Sequence, residues 1–355
     1  MTVNSTTTRF AGPRAELVGR IFPLGIPSLW CPALTHYGEG GTIDRVRMRA
    51  HLHSMQPWVR GFLIPGSTGE GWEMSDAEVR ELLDVMIDEI REVGGQVLVG
   101  ILKTRAEDVL RAIDSVLAWL RSRTGTSDSF TALSQSAVCG FTVCPPSGSQ
   151  LSQEEIRAAL ESVLSLGVPF ALYQLPQVTG NEMSAETLAA LGERFPNFYL
   201  FKDTSGSDRV AASGFRDAFL VRGAEGDYAN HLAAGGGNYD GFLLSTANCF
   251  GHKLHSMIEH VRQGNRAGAE AFSKTLTSLT REVFEVAGAI GYGNAFTNAN
   301  KAMDHFFAHG PDAGKVAPPR LHCGRRLPPE LIDAAGAALR RHGLMPKMGY
   351  LAGRA

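Results

Sequence analysis

Short apolar runs alternate with amphipathic stretches from about residue 24 to residue 262. The runs fall at 25–32, 61–64, 96–101, 140–143, 170–173, 198–201, 218–221 and 241–244. Each is bounded by turn residues, the pattern of a strand buried on both faces in a parallel sheet. Between them lie helical patterns. Ser75-Asp76-Ala77-Glu78 forms a capping box ahead of Val79, Leu82, Leu83, Met86, Ile87 and Ile90, which recur at helical spacing. A second box spans Ser152 to Glu155, ahead of Ile156, Leu160, Val163 and Leu164. Eight strand–helix units in about 240 residues predict a closed (β/α)8 TIM barrel. The rival, an open doubly wound sheet, is weakened because no strand is followed by a G-x-G-x-x-G turn.

The flanks differ from this pattern. Residues 1–20 read as an N-terminal arm with no clear period, and 21–262 as the barrel. From residue 263 the strand pattern stops, and helical patterns near 267–286, 295–307 and 329–341 predict a C-terminal helical domain over 263–345, with a tail at 346–355. Residues 124–136, rich in Ser and Thr, read as a surface loop or insertion. Arg45, Arg47, Arg49, His51 and His53 read as the solvated face of a helix.

Composition narrows the function classes. The net charge of −2 gives no basic surface for a nucleic acid or an anionic membrane. Five cysteines without C-x-x-C spacing read as reduced thiols of a cytosolic protein. The polar start MTVNSTTTRF has no apolar core of a secretory signal. No stretch has the roughly 20 apolar residues of a membrane span. His252 and His255 are three apart with no further ligand at spacing, so no metal is expected. Gly235-Gly236-Gly237 lacks a following Lys-Ser/Thr and reads as a turn. Cys144 reads as a small packed thiol.

The chemistry gathers at strand ends. Phe198-Tyr199-Leu200-Phe201 runs straight into Lys202 and then Asp203-Thr204-Ser205-Gly206. Taken alone, such a lysine begins a loop and points to water, since lysine is rarely buried unpaired. Its company changes that reading. Tyr173 ends the preceding strand, 29 residues earlier, about one βα unit. Gly66-Ser67-Thr68-Gly69 follows the second strand, and a barrel places all such ends at one mouth. An amine there can attack a ketone when neutral, a phenol can shuttle protons, and a glycine–hydroxyl turn can present donors to a carboxylate.

These motifs resemble a known family. Gly66-Ser67-Thr68-Gly69-Glu70, Leu172-Tyr173-Gln174-Leu175-Pro176, Lys202-Asp203-Thr204-Ser205-Gly206 and Gly241-Phe242-Leu243-Leu244-Ser245 stand in the order and spacing of the dihydrodipicolinate synthase / N-acetylneuraminate lyase family of class I aldolases. The similarity covers roughly residues 24–342. It implies a cofactor-free lyase that joins or cleaves a carbon–carbon bond next to pyruvate or another 2-oxo acid. Lys202 would form the imine and Tyr173 would relay protons. Gly66, Ser67 and Thr68 would hold the carboxylate, and Leu243 would line the pocket. The implied partners are a small 2-oxo acid and an aldehyde, in a cytoplasmic homotetramer. Two departures matter. The family's synthases carry a tyrosine pair after the fourth strand, where this chain has Cys144-Pro145-Pro146-Ser147. They carry an arginine for the aldehyde's carboxylate five residues after the tyrosine, where this chain has Val178. Both argue against the lysine-biosynthetic synthase. The alternatives are a Schiff-base dehydratase of a 2-oxo-3-deoxy sugar acid and a non-catalytic 2-oxo acid binder. The latter would need neither Lys202 nor Tyr173.

Overall fold

The computed structural model describes residues 9–352. Residues 1–8 of the expected arm and 353–355 of the expected tail lie outside the described residues. The strands are β1 Leu29–Pro32, β2 Gly61–Ile64, β3 Gln96–Ile101, β4 Val138–Val143, β5 Phe170–Gln174, β6 Phe198–Asp203, β7 Phe219–Arg222 and β8 Gly241–Leu243. They follow one another in chain order in a closed barrel, and the paired neighbours run parallel. The predicted TIM barrel is therefore present. Every residue of β4, β5 and β6 is buried, which is why these strands read as unbroken apolar runs.

By contacts the chain divides into two compact units. The first holds 96–224 and 231–243 with the N-terminal segment, and so β3 to β8. Here the predicted box at Ser152 and Glu155 forms, with both reciprocal hydrogen bonds present. Two segments differ from expectation. A helix spans Gly12–Ile21, where no periodic element was expected. Val18 is its one buried residue, so the helix shows no apolar stripe. Its docking is polar: Arg14 Nε donates to the Phe198 carbonyl at 3.1 Å. Within 124–136, read as loop, a second helix spans Ser129–Gln135. Asp128 caps it through the Thr131 N–H at 2.7 Å, and Ala132 and Leu133 are buried. The Arg209–Ala212 helix is a single turn.

The second unit holds 29–95, 225–230 and 244–355. It contains β1, β2 and the helices Ala247–Arg262, Arg266–Gly288, Ala295–His309 and Pro329–Arg341, close to the predicted C-terminal pattern. The Ser75–Glu78 box caps Asp76–Glu92 as predicted. The Arg/His face of the Arg45–Met55 helix is not solvated throughout. His51 is buried, and Arg47 donates to Asp304 at 3.0 Å. The partners lie about 250 residues downstream, so the local pattern could not show that these polar groups are satisfied inside.

Candidate active site

β5 and β6 pair with Tyr173 opposite Lys202, and β6 and β7 with Lys202 opposite Val221, which in turn faces Gly241 of β8. Val143 faces Leu172, so the next residue, Cys144, stands level with Tyr173. Side chains level across parallel strands share a face. Tyr173, Lys202, Val221 and Gly241 thus form one layer, with Leu243 one step beyond on the same face.

Lys202 is only 4% exposed. Its Nζ lies 3.8 Å from the centre of the Tyr173 ring, against the face, where the ring quadrupole attracts a cation. Cys144 is buried beside this amine. Burial pushes its thiol up to about 12, and the Lys202 charge pulls the other way. Such a thiol stays protonated at neutral pH and is a poor nucleophile. Room for the lysine stem comes from Gly223. A Cβ there would stand 2.3 Å from Thr204 Oγ1 and 3.0 Å from Lys202 Cε. Thr204 Oγ1 and Thr142 Oγ1 are buried hydroxyls with no hydrogen-bond partner among the described residues.

The opposite face of β6 is locked by charge. Asp203 Oδ1 accepts from the Ser205 N–H at 2.9 Å and the Ser205 hydroxyl at 2.6 Å. The Tyr239 hydroxyl reaches Asp203 Oδ2 at 3.0 Å and Asp208 Oδ1 at 2.7 Å. Arg222 grips Asp208 with two hydrogen bonds at 3.0 and 3.1 Å. Burial works to raise the Asp208 pKa, but the Arg222 and Tyr239 bonds overcome it and hold it below its ordinary value. Sequence reasoning missed this network. Its only local trace is an arginine ending a buried strand.

In the second unit the Gly66–Gly69 motif ends β2 as a 3-10 turn over Ser67–Gly69. A Cβ on Gly66 would meet Pro32 Cβ at 2.7 Å, and one on Gly69 the Ala33 carbonyl oxygen at 2.5 Å, so both positions need glycine. Ser67 Oγ accepts from Trp72 Nε1 at 2.8 Å. Glu70, at φ 64°, accepts from the His322 N–H at 2.8 Å and pairs with buried Lys301.

Of the predicted residues, Lys202 and Tyr173 are brought together, with Cys144. Gly66, Ser67 and Thr68 share one turn. Val178 sits on the Pro176–Thr179 turn after β5, 42% exposed. One cluster was not anticipated. His36, His51 and Asp304 are buried with potential ligand atoms within 4.8 Å of one another. His51 Nε2 lies 2.9 Å from the Asn248 carbonyl oxygen, and His36 Nε2 lies 2.9 Å from His51 Nδ1. The two imidazoles are thus already hydrogen-bonded in series. Arg47 and the Tyr350 hydroxyl both occupy Asp304 Oδ2 at 3.0 Å. The Arg47 charge opposes a cation, and the cluster reads as a satisfied polar network.

A closed parallel barrel with a buried lysine on the sixth strand, level with a tyrosine on the fifth, defines the broad class, a (β/α)8 barrel protein. Residues 122–296 match the family described as "Dihydrodipicolinate synthetase family". The N-acetylneuraminate lyase of Enterobacter sp. (strain 638) is 27% identical over 242 residues, 67% of this chain and 74% of that one. The 4-hydroxy-tetrahydrodipicolinate synthase of Xanthomonas campestris is 28% identical over 253 residues, 68% of this chain and 75% of that one. The fold matches a prophage protein of the dihydrodipicolinic acid synthase family from E. coli K12, solved in complex with pyruvate. Its TM-score is 0.68 at 18% identity, over 89% of this chain and 98% of that one. Over residues 122–296 the chain is thus similar to the dihydrodipicolinate synthetase family, and its named relatives include a lyase and a synthase. No described helix is long and apolar enough to cross a membrane.

Proposed function

We propose that this chain is a lyase that makes or breaks a carbon–carbon bond next to pyruvate or a related 2-oxo acid, through an imine on Lys202 and with no added cofactor. The observation that carries the reading is the buried Lys202 amine lying 3.8 Å from the Tyr173 ring centre on the adjacent strand. Imine formation needs the neutral amine, and a dry site disfavours the ammonium. The Lys202 nitrogen attacks the 2-oxo carbon. The carbinolamine then loses water to give the iminium, and Tyr173 carries the protons. The iminium serves as electron sink while the bond to the aldehyde carbon breaks or forms. Gly66, Ser67 and Thr68 hold the carboxylate, and Leu243 lines the pocket. The pyruvate in the E. coli K12 relative supports the choice of substrate class.

Val178 offers no cation for a second carboxylate, and this weighs against the lysine-biosynthetic synthase. A second reading, the dehydration of a 2-oxo-3-deoxy sugar acid through the same imine, draws support from Thr142 and Thr204. Their buried unpartnered hydroxyls are groups that a hydroxylated substrate would satisfy. The separating experiment offers a panel of 2-oxo acids and follows pyruvate release against loss of water. Pyruvate release with an aldehyde co-product supports the lyase; water loss without it supports the dehydratase; turnover of neither contradicts both. We also propose a cytoplasmic homotetramer in which the C-terminal helices form their own domain. A monomer by light scattering at micromolar concentration would contradict the assembly.

A further inference from the structure

The Ser67–Gly69 turn is held from one side by a single helix, Ala295–His309 of the same unit. Asn294, the N-cap of that helix, uses both ends of its amide. Its Oδ1 accepts from the Thr297 N–H at 2.8 Å, and its Nδ2 donates to the Ser67 carbonyl at 3.1 Å. Thr297, fully buried, places its hydroxyl 2.9 Å from the Thr68 carbonyl and 3.3 Å from that of Ser67. One turn further along, Lys301 Nζ is paired with Glu70 and donates to the Arg320 carbonyl at 2.9 Å. The helix therefore holds two successive carbonyls and the following carboxylate.

This fixes the orientation of the turn. A trans peptide is planar, so its N–H points opposite to its C=O. With the Ser67 carbonyl drawn toward the helix, the N–H of Thr68 is turned to the other side. A dipole held in advance binds an anion without reorganisation cost. We propose that Asn294 and Thr297 are positioning residues for 2-oxo acid binding, which aim the Ser67–Thr68 peptide at the substrate carboxylate. The proposal rests on the reading of this turn as the carboxylate site.

The test measures the pyruvate concentration that gives half-maximal borohydride trapping on the full chain. Thr297→Val keeps the shape and loses the donor. Asn294→Asp keeps the capping oxygen and loses the amide donor to Ser67. Each should raise the half-saturating concentration by roughly five- to tenfold, the worth of about one hydrogen bond. The trapping rate at saturating pyruvate should change by less than about twofold. Thr297→Ser, which keeps the hydroxyl, should return the concentration to within about twofold of wild type. Should Thr297→Val fail to fold, Asn294→Asp decides alone. If both variants trap pyruvate at wild-type concentrations while Ser67→Ala and Thr68→Val do not, the clamp is wrong and the carboxylate site stands. If none of the four moves the half-saturating concentration, the carboxylate reading of the turn falls and the clamp with it. A lower saturating rate at unchanged concentration would also overturn the proposal.

Discussion

Two buried lysines differ in what lies against them. Lys301 is fully buried in the second unit and faces the Glu70 carboxylate. Burial lowers its pKa, and Glu70 works to restore it. Lys202, in the first unit, is 4% exposed and lies against the Tyr173 ring. A carboxylate partner holds a lysine as an ammonium, with no lone pair to offer. An aromatic face attracts a cation more weakly than a carboxylate does.

The largest effect that could break this contrast concerns the phenol. Tyr173→Phe keeps the ring against Lys202 and removes the hydroxyl. Turnover should fall by roughly 10²–10⁴-fold, the usual worth of a positioned acid–base group. A change under threefold in kcat would show that the ring alone serves the lysine.

Lys301 should fail in the other direction. Lys301→Met strands Glu70 as a buried unpaired charge, which costs about 3–5 kcal/mol of stability. Urea unfolding should show the loss, while pyruvate trapping on Lys202 persists in the folded fraction. Wild-type stability with trapping abolished would reverse the roles assigned to the two lysines.

Val178 sharpens the substrate side. Hydrogen bonds to charged groups are worth roughly 1.5–3 kcal/mol, so an aldehyde bearing a carboxylate should lose ten- to a hundredfold for want of a cation at this position. Comparing kcat/KM for aspartate semialdehyde and a neutral aldehyde of similar size, each with pyruvate, measures it. A tenfold advantage for the semialdehyde would restore the biosynthetic assignment. Val178→Arg should raise semialdehyde use.

The smallest effect is a pH dependence of the second unit. His305 is buried, with Nε2 2.9 Å from the Ala313 carbonyl and Nδ1 without a partner among the described residues. Burial, with the His309 and Arg47 charges, lowers its pKa to about 4. In the unfolded chain a histidine titrates near 6.5. Between these values the unfolded state binds a proton that the folded state refuses. The stability tied to this group is therefore whole above about pH 6.5 and is lost as the pH falls toward 4, by about 2–3 kcal/mol. The urea midpoint should fall less steeply between pH 7 and 4.5 in His305→Asn than in wild type. Parallel curves would contradict the assignment.

The barrel and most of its helices were legible because buried parallel strands are apolar runs and the two capping boxes are local signals. That Lys202 and Tyr173 stand level on neighbouring strands was legible for the same reason, since each stands at the end of such a run. What stayed hidden depends on partners far along the chain. Arg47 and His51 carry the pattern of a wet helix face, and only Asp304 and Asn248 explain their burial. Gly12–Ile21 has no apolar stripe because a guanidinium docks it. The role of Gly223 depends on how the Lys202 stem and Thr204 pass it, and spacing carries no trace of that.

The central claim is that Lys202, and not Lys301, is the imine-forming lysine. Borohydride reduction in the presence of pyruvate, followed by peptide mapping, tests it most directly. The account predicts a stable adduct on the peptide containing Lys202, abolished in Lys202→Ala and not restored by Lys202→Arg, whose guanidinium stays protonated. An adduct on Lys301 or Lys103, or none on the wild-type chain at saturating pyruvate, would contradict it.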